Sequence, residues 1–172
     1  MGKRSDFERR ERDFYATPPE AVQPLFKHLP DEFTFDEPCA GQRDLVKALG
    51  EDRCEWASDI HKADGVNRFA VEERRNCFGD YFITNPPWPA PGKKGDPTIS
   101  IALHLSEIAP TWLLLPADFC HNKYFRRVAK SCVKVVSVGR VSWMGNGVSS
   151  LDNCAWMLFD AKHDGPTTFH SR

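Results

Sequence analysis

The sequence predicts an α/β fold: a mostly parallel sheet with helices on both faces and an antiparallel pair of C-terminal strands. Three observations predict it. Short apolar or β-branched runs alternate with helix-like segments along most of the chain, which implies parallel strands joined by crossovers. "TWLLLP", Thr111–Pro116, is a continuous apolar run of the kind that forms a strand buried on both faces. The last two strand-like runs, Val133–Val138 and Cys154–Asp160, are joined by a loop with no helix, which implies an antiparallel edge pair.

Each element follows from local chemistry. Residues 1–16 form a charged arm without a clear period. Thr17-Pro18-Pro19-Glu20 has the spacing of a capping box, and proline in a first helical turn loses no hydrogen bond. A helix over Pro18–His28 is expected, with Val22, Leu25, Phe26 and Leu29 on its apolar side and Pro30-Asp31 ending it. "FTFD", Phe33–Asp36, is a strand, "EPCAGQRD" a turn-rich link, and Asp44–Leu49 a helix. "CEWASDI", Cys54–Ile60, is a strand ending at an acid, and the polar stretch His61–Asn76 has little periodicity. "YFIT", Tyr81–Thr84, is a buried strand that runs into "NPPW". Pro89–Pro97 is a Gly- and Pro-rich loop, Thr98–Ile108 a helix, and Phe119–Ser131 an amphipathic helix. The tail after the final strand is polar and is not expected to pack.

Composition sets the frame. The chain has 172 residues, of which 41% are hydrophobic and 27% charged, which suits one packed domain. That domain is expected over 17–162, between the basic arm 1–16 and a polar tail 163–172, with no separate target-recognition domain. No apolar run is long enough to span a membrane, and the charged stretch Met1–Arg12 lacks the apolar segment of a signal peptide. A cytoplasmic protein is expected. The six cysteines include no Cys-x-x-Cys pair, so reduced, mostly buried thiols are favoured over zinc ligation. The net charge of −1 neither demands nor excludes a nucleic-acid partner. Lys3, Arg4, Arg9, Arg10 and Arg12, the pair Lys93-Lys94, and Lys123, Arg126, Arg127 and Lys130 are basic clusters, each more often a solvated face than a phosphate contact.

Open parallel sheets bind ligands at the carboxyl ends of their strands. Three stretches fall there: Glu37–Arg43, Asp59 and Asn85–Trp88. Gly41 lets backbone approach a ligand, the next helix offers unpaired N–H groups, and Asp59 is spaced to accept from two ribose hydroxyls or to form a turn. In Asn85-Pro86-Pro87-Trp88 each proline fixes φ and removes a donor, and Pro86 forces Asn85 into an extended shape. The Asn85 amide oxygen and the Pro86 carbonyl can then accept both hydrogens of a planar amino group, while Trp88 offers a face for a stacked base. The competing reading is a Pro-rich turn above a buried Trp.

Beyond that chemistry, most of the chain resembles a known family: S-adenosylmethionine-dependent amino-methyltransferases, particularly N6-adenine DNA methyltransferases of phage and bacterial type. "DFYATPPEAV" looks like its N-terminal cofactor segment, "DEPCAGQRDLV" its cofactor loop, "ASDI" its ribose segment and "ITNPPW" its catalytic motif. "TWLLLPADFCHNKYF" and "VGRVSWMGNG…DNCAWMLFD" look like its later strands. The resemblance implies a Rossmann-like class I methyltransferase fold and S-adenosyl-L-methionine as cofactor, with no metal. It implies that Tyr15, Thr17 and Pro18 border the methionine end. Glu37, Pro38, Cys39, Ala40, Gly41, Asp59, Ile60 and Asn85 would contact the cofactor, and Asn85, Pro86, Pro87 and Trp88 would carry catalysis. Trp88, Lys93, Lys94, Arg140 and Trp143 are candidate nucleic-acid contacts, although Trp143 also suits packing and Arg140 an ion pair with Asp152.

Two departures stand out. Gln42 and Arg43 occupy the place of the second loop glycine, and Arg68-Phe69 replaces the usual Asp-Phe, leaving Asp64, Asn67 or Asp80 as substitutes for the adenine contact. The expected activity is N6 methylation of adenine in DNA. The alternatives are the same reaction on RNA, methylation of a protein glutamine amide, and a non-catalytic cofactor-binding module.

Overall fold

The computed structural model describes residues 16–61, 63–88, 97–150 and 152–172. Eight strands form one sheet: β1 (Phe35–Glu37), β2 (Cys54–Asp59), β3 (Asn67–Arg68), β4 (Tyr81–Thr84), β5 (Thr111–Pro116), β6 (Cys132–Gly139), β7 (Cys154–Phe159) and β8 (Thr168–His170). Their order is β3-β2-β1-β4-β5-β7-β6-β8, and β7 alone runs against its neighbours, pairing antiparallel with both β5 and β6. Helices α1 (Pro19–Phe26) and α2 (Asp44–Leu49) cover one face, and α3 (Pro97–Ile108) covers the other. This is the expected α/β architecture with helices on both faces. Among the described residues no helix is long and apolar enough to cross a membrane.

The two faces have separate cores. On the first, Val22, Leu25, Leu45 and Val46 pack with Phe35, Ile83, Trp112, Leu114 and Trp156. On the second, Ile99, Ala102, Leu105 and Phe119 pack with Phe82, Leu113, Leu115, Met157 and Phe159. Successive β5 residues thus alternate between cores, which is why that strand is apolar throughout.

Four expectations are corrected. The antiparallel pair is not at the sheet edge: β7 sits between β5 and β6, consistent with the burial of Cys154, Ala155, Trp156, Met157 and Phe159. The tail does pack, because β8 adds parallel to β6 and the Thr167 hydroxyl donates to the Cys132 carbonyl at 2.6 Å. An edge strand needs only backbone pairing, so its polar side chains hid it. Phe119–Ser131 is not an α-helix but three 3-10 turns, 117–121, 123–127 and 129–131. Asn122 is extended at ψ 147° and interrupts the run, while Cys120, Asn122 and Ser131 side chains bond nearby carbonyls and compete with helical pairing. All six cysteines are free, but only Cys132 and Cys154 are buried and the other four are half-buried.

The capping box is also not formed. The cap residue is Pro18, one place later than the motif requires, and Ala21 N–H bonds the Pro18 carbonyl at 2.9 Å. Glu20 therefore occupies the second rather than the third helical position, and both Thr17 and Glu20 turn elsewhere.

Candidate active site

The ends of β1, β2 and β4 meet at one edge of the sheet because they are parallel neighbours. Asp36 pairs in register with both Trp56 and Phe82, and Glu37 with Ala57. The chain leaving β1 passes through Pro38 and Ala40, both buried, and half-buried Cys39. The Ala40 N–H donates to the Ser58 carbonyl at 3.0 Å, and the Gly41 N–H donates to Asp59 Oδ2 at 3.0 Å. His61 N–H donates to Asp59 Oδ1 at 2.9 Å. Each carboxylate oxygen thus spends one lone pair on the backbone and retains the other. The acid binds the loop after β1 to the end of β2.

Arg43 stands at φ 63° and ψ 25°, the left-handed region, where a Cβ is costly. Its guanidinium donates to the Gly65 carbonyl at 2.6 Å. Arg43 thus retains the backbone shape a glycine favours, and its side chain straps the stretch after β2 onto the loop.

Glu37 is 2% exposed, and its Oε2 has no hydrogen-bond partner among the described residues. Burial, with Asp59 and Asp44 nearby, holds its carboxyl well above the ordinary glutamate range, against the opposing pull of Arg43 and the Val46 N–H. Burial, reinforced by Asp59, likewise pushes the Cys39 thiol up to about 12. Ser58 Oγ, at the end of β2, is buried without a partner among the described residues, as is Thr84 Oγ1 at the end of β4. Buried polar atoms are normally paired; further unpartnered atoms lie away from this edge, at Trp56, Arg74, Trp112 and His163.

The Asn85 amide is held from one side. Its Nδ2 donates to the Thr17 hydroxyl at 3.2 Å, while its Oδ1 is buried with no partner among the described residues. Pro86 is buried, and the Pro87 carbonyl accepts from the Thr98 hydroxyl at 3.1 Å, which ties the motif to the first turn of α3. Trp88 Nε1 donates to the Leu114 carbonyl at 2.9 Å. Its ring meets Trp143 edge-to-face with centroids 5.4 Å apart and planes at 87°. The two tryptophans are partly buried against the first core.

The remaining candidates are less gathered. Pro18 is half-buried at the cap of α1, Arg140 is exposed just beyond β6, and Ile60 is 56% exposed after β2. Tyr15, Lys93 and Lys94, with the basic arm through residue 15, lie outside the described residues. Among the proposed substitutes, Asp80 lies at the opposite edge: it precedes β4, and its carboxylate accepts from Thr34 N at 2.9 Å and Thr34 Oγ1 at 3.1 Å. Asn67 spends its amide on the Ala57 carbonyl at 3.1 Å, and Asp64 is exposed before β3.

Sequence reasoning missed Ser58 and the roles of Thr17 and Glu20 outside capping. Glu20 Oε1 accepts from the Ser142 N–H at 2.6 Å. It missed the Asp36–Arg74 ion pair as well, in which Asp36 also accepts from Phe78 N–H at 3.0 Å and Gly79 N–H at 3.2 Å. Arg74 lies 5.4 to 5.6 Å from the ring centroids of Trp56, Phe78 and Phe82. The pair precedes the site along β1, and its work is structural.

No protein-family model matches the sequence, and no curated protein matches it. Solved structures do. A candidate RNA methyltransferase of Pyrococcus horikoshii superposes with a TM-score of 0.64 at 16% identity, over 92% of this chain and 91% of its own. A chain of a type I restriction-modification system gives 0.59 at 14%, over 90% of this chain and 44% of its own. A dimethyladenosine transferase of Plasmodium falciparum gives 0.51 at 14%, over 86% and 62%. The chain therefore spans less than half the length of the restriction-modification subunit it matches. At these identities the likeness establishes the fold alone, an α/β fold that these methyltransferases share.

Proposed function

We propose that this chain transfers a methyl group from S-adenosyl-L-methionine to the exocyclic N6 amino group of adenine in DNA. The observation that carries the reading is the Asn85 amide: its NH2 is engaged by Thr17 and, among the described residues, its buried oxygen has no donor. An unpaired buried acceptor costs about 1–3 kcal/mol, and a substrate N–H relieves that cost. The dimethyladenosine transferase among the structural neighbours, whose name carries a methylated adenosine, is in keeping with an adenine amino group as substrate.

The residues present fit the cofactor. The orphaned Glu37 Oε2 and Ser58 Oγ, the Gly41 backbone and the spare lone pairs of Asp59 form a polar rim where an amino acid and a ribose would be held. Pro38, Cys39 and Ala40 would line the same loop. Exposed Ile60 would cover an apolar ring face, and Thr17 and Pro18, with Tyr15, would close the methionine end. When bound, the cofactor supplies an electrophilic methyl group.

This chain's own residues prepare the nucleophile. An amino group conjugated to an aromatic ring is a poor nucleophile because its lone pair is delocalised. Asn85 Oδ1 and the Pro86 carbonyl accept its two hydrogens and draw the nitrogen toward a tetrahedral shape, with the lone pair freed. The positive charge that then develops on nitrogen is stabilised by the same two oxygens, which need no reorganisation. Trp88 holds the base by stacking, and the fixed geometry of the motif supplies much of the remaining rate enhancement. Pro87 braces the turn through Thr98. Lys93, Lys94 and Arg140 would meet phosphates, and a base in a duplex must first be flipped out.

RNA is the second reading, because a neighbour that this chain covers over 91% of its length is a candidate RNA methyltransferase. The test is mass spectrometry of nucleosides after incubation with cofactor and either DNA or RNA. N6-methyladenine in DNA supports the lead reading, and its appearance in RNA alone supports the second. Bound cofactor with no methylated product in either pool, or in protein, overturns both.

A further inference from the structure

The loop between β6 and β7 rises from the carboxyl end of β6, the same edge of the sheet as Asn85 and Trp88, because β6 is parallel to β5. It carries Trp143 onto the Trp88 ring. The loop is laced internally: Ser142 Oγ bonds Asn146 Oδ1 at 3.2 Å, Gly145 N–H donates to the Ser142 carbonyl at 3.1 Å, and Ser150 N–H donates to the Val141 carbonyl at 2.9 Å. Asn146 Oδ1 also accepts from Val148 N–H at 3.0 Å. Besides the Trp143–Trp88 contact, the loop is tied to α1 at Ser142, whose N–H reaches Glu20 Oε1 at 2.6 Å across 122 residues.

Glu20 has no need to make this contact for the sake of its own helix. It is exposed in the first turn of α1, where a carboxylate already favours the helix dipole from solvent. α1 is a firm base for a tether, because the Ala21 carbonyl accepts from buried Trp156 Nε1 of β7 at 2.8 Å. One residue along, Glu20 fixes the backbone at Ser142, and Ser142 immediately precedes Trp143. We propose that Glu20 is a positioning residue for substrate: its carboxylate sets the β6–β7 loop so that Trp143 completes, with Trp88, the wall against which the target base is held. This rests on the reading of Trp88 as the base-stacking residue.

The test compares Glu20→Ala with Glu20→Gln, which keeps an acceptor oxygen and loses the charge. Amide hydrogen exchange at Ser142 reads the tether directly. The KM for an adenine-containing oligonucleotide, against kcat and the cofactor Kd, reads its consequence. Expected for Glu20→Ala are faster exchange at Ser142, a KM raised by about tenfold, and cofactor affinity within about twofold of wild type. Glu20→Gln should restore both exchange protection and KM. Unchanged exchange or unchanged KM in Glu20→Ala overturns the proposal, as does a Glu20→Gln variant as impaired as Ala. If wild-type protein methylates no nucleic acid, the functional reading fails. Exchange together with oligonucleotide binding by anisotropy then decides whether Glu20 governs the loop.

Discussion

The Asn85 amide nitrogen donates to the Thr17 hydroxyl at 3.2 Å, across 68 residues of chain. With Nδ2 turned to Thr17, Oδ1 is left without a partner among the described residues, as the acceptor that a substrate amine requires. Thr17→Val keeps the shape and removes the partner. It should lower kcat by about tenfold while Thr17→Ser retains most activity, as the loss of one hydrogen bond in a buried site implies. Single-turnover kinetics measure this. A threonine that served only the cofactor would instead raise the cofactor Kd with kcat unchanged.

Trp88 has two roles that separate by substitution. Its indole N–H is fixed to Leu114, and its ring is the proposed platform. Trp88→Phe should retain most nucleic-acid affinity, whereas Trp88→Ala should lose about 1–3 kcal/mol of it, the usual worth of a stacked base. Fluorescence anisotropy with an oligonucleotide and calorimetry with the cofactor distinguish the effects. Equal losses for both ligands in Trp88→Ala would identify the ring as core alone.

Asp59 joins the loop after β1 to the end of β2 through Gly41 and His61. Asp59→Ala should weaken cofactor binding by roughly 10- to 100-fold, since hydrogen bonds to a charged group are each worth about 1.5–3 kcal/mol. A calorimetric titration indistinguishable from wild type would remove Asp59 from the site.

Glu37 makes the ligand-free protein sensitive to pH. Its folded-state pKa is raised well above 4.5 by burial. The stability it contributes is full below its unfolded pKa and is lost as pH rises through the folded value. Thermal midpoints of wild type should therefore fall relative to Glu37→Gln as pH increases from about 4.5 upward. Parallel midpoint curves for the two proteins would place Glu37 outside this linkage.

How much of this was legible in the sequence depended on the range of the interaction. Tyr81–Thr84, Asp44–Leu49 and Thr111–Pro116 were read with the bounds they have, because burial on both faces or a turn of apolar residues is written in consecutive positions. The gathering of Glu37, Gly41, Asp59 and Asn85 at one edge followed from parallel strands. The partners of Thr17 and Glu20 did not, because a capping box is a local pattern and both side chains instead bond residues far along the chain. The Asp36–Arg74 pair and β8 were hidden for the same reason: one joins a short strand to an irregular stretch, and the other needs only backbone.

Arg43 shows how a departure from a motif can preserve its geometry. Arg43→Gly removes a left-handed penalty of roughly 1–2 kcal/mol and also the bond to Gly65, worth about 1 kcal/mol, so stability should change little. Arg43→Ala keeps the penalty and loses the bond, and should destabilise by about 1 kcal/mol. Chemical denaturation of both variants measures the contrast, and equal effects would refute it.

The most direct test of the central claim is methyl transfer by Asn85→Ala under conditions where cofactor binding is shown to persist. Wild-type protein should yield N6-methyladenine and the variant none above background, both at cofactor concentrations shown to saturate them. A variant that binds cofactor and methylates adenine at the wild-type rate would contradict it.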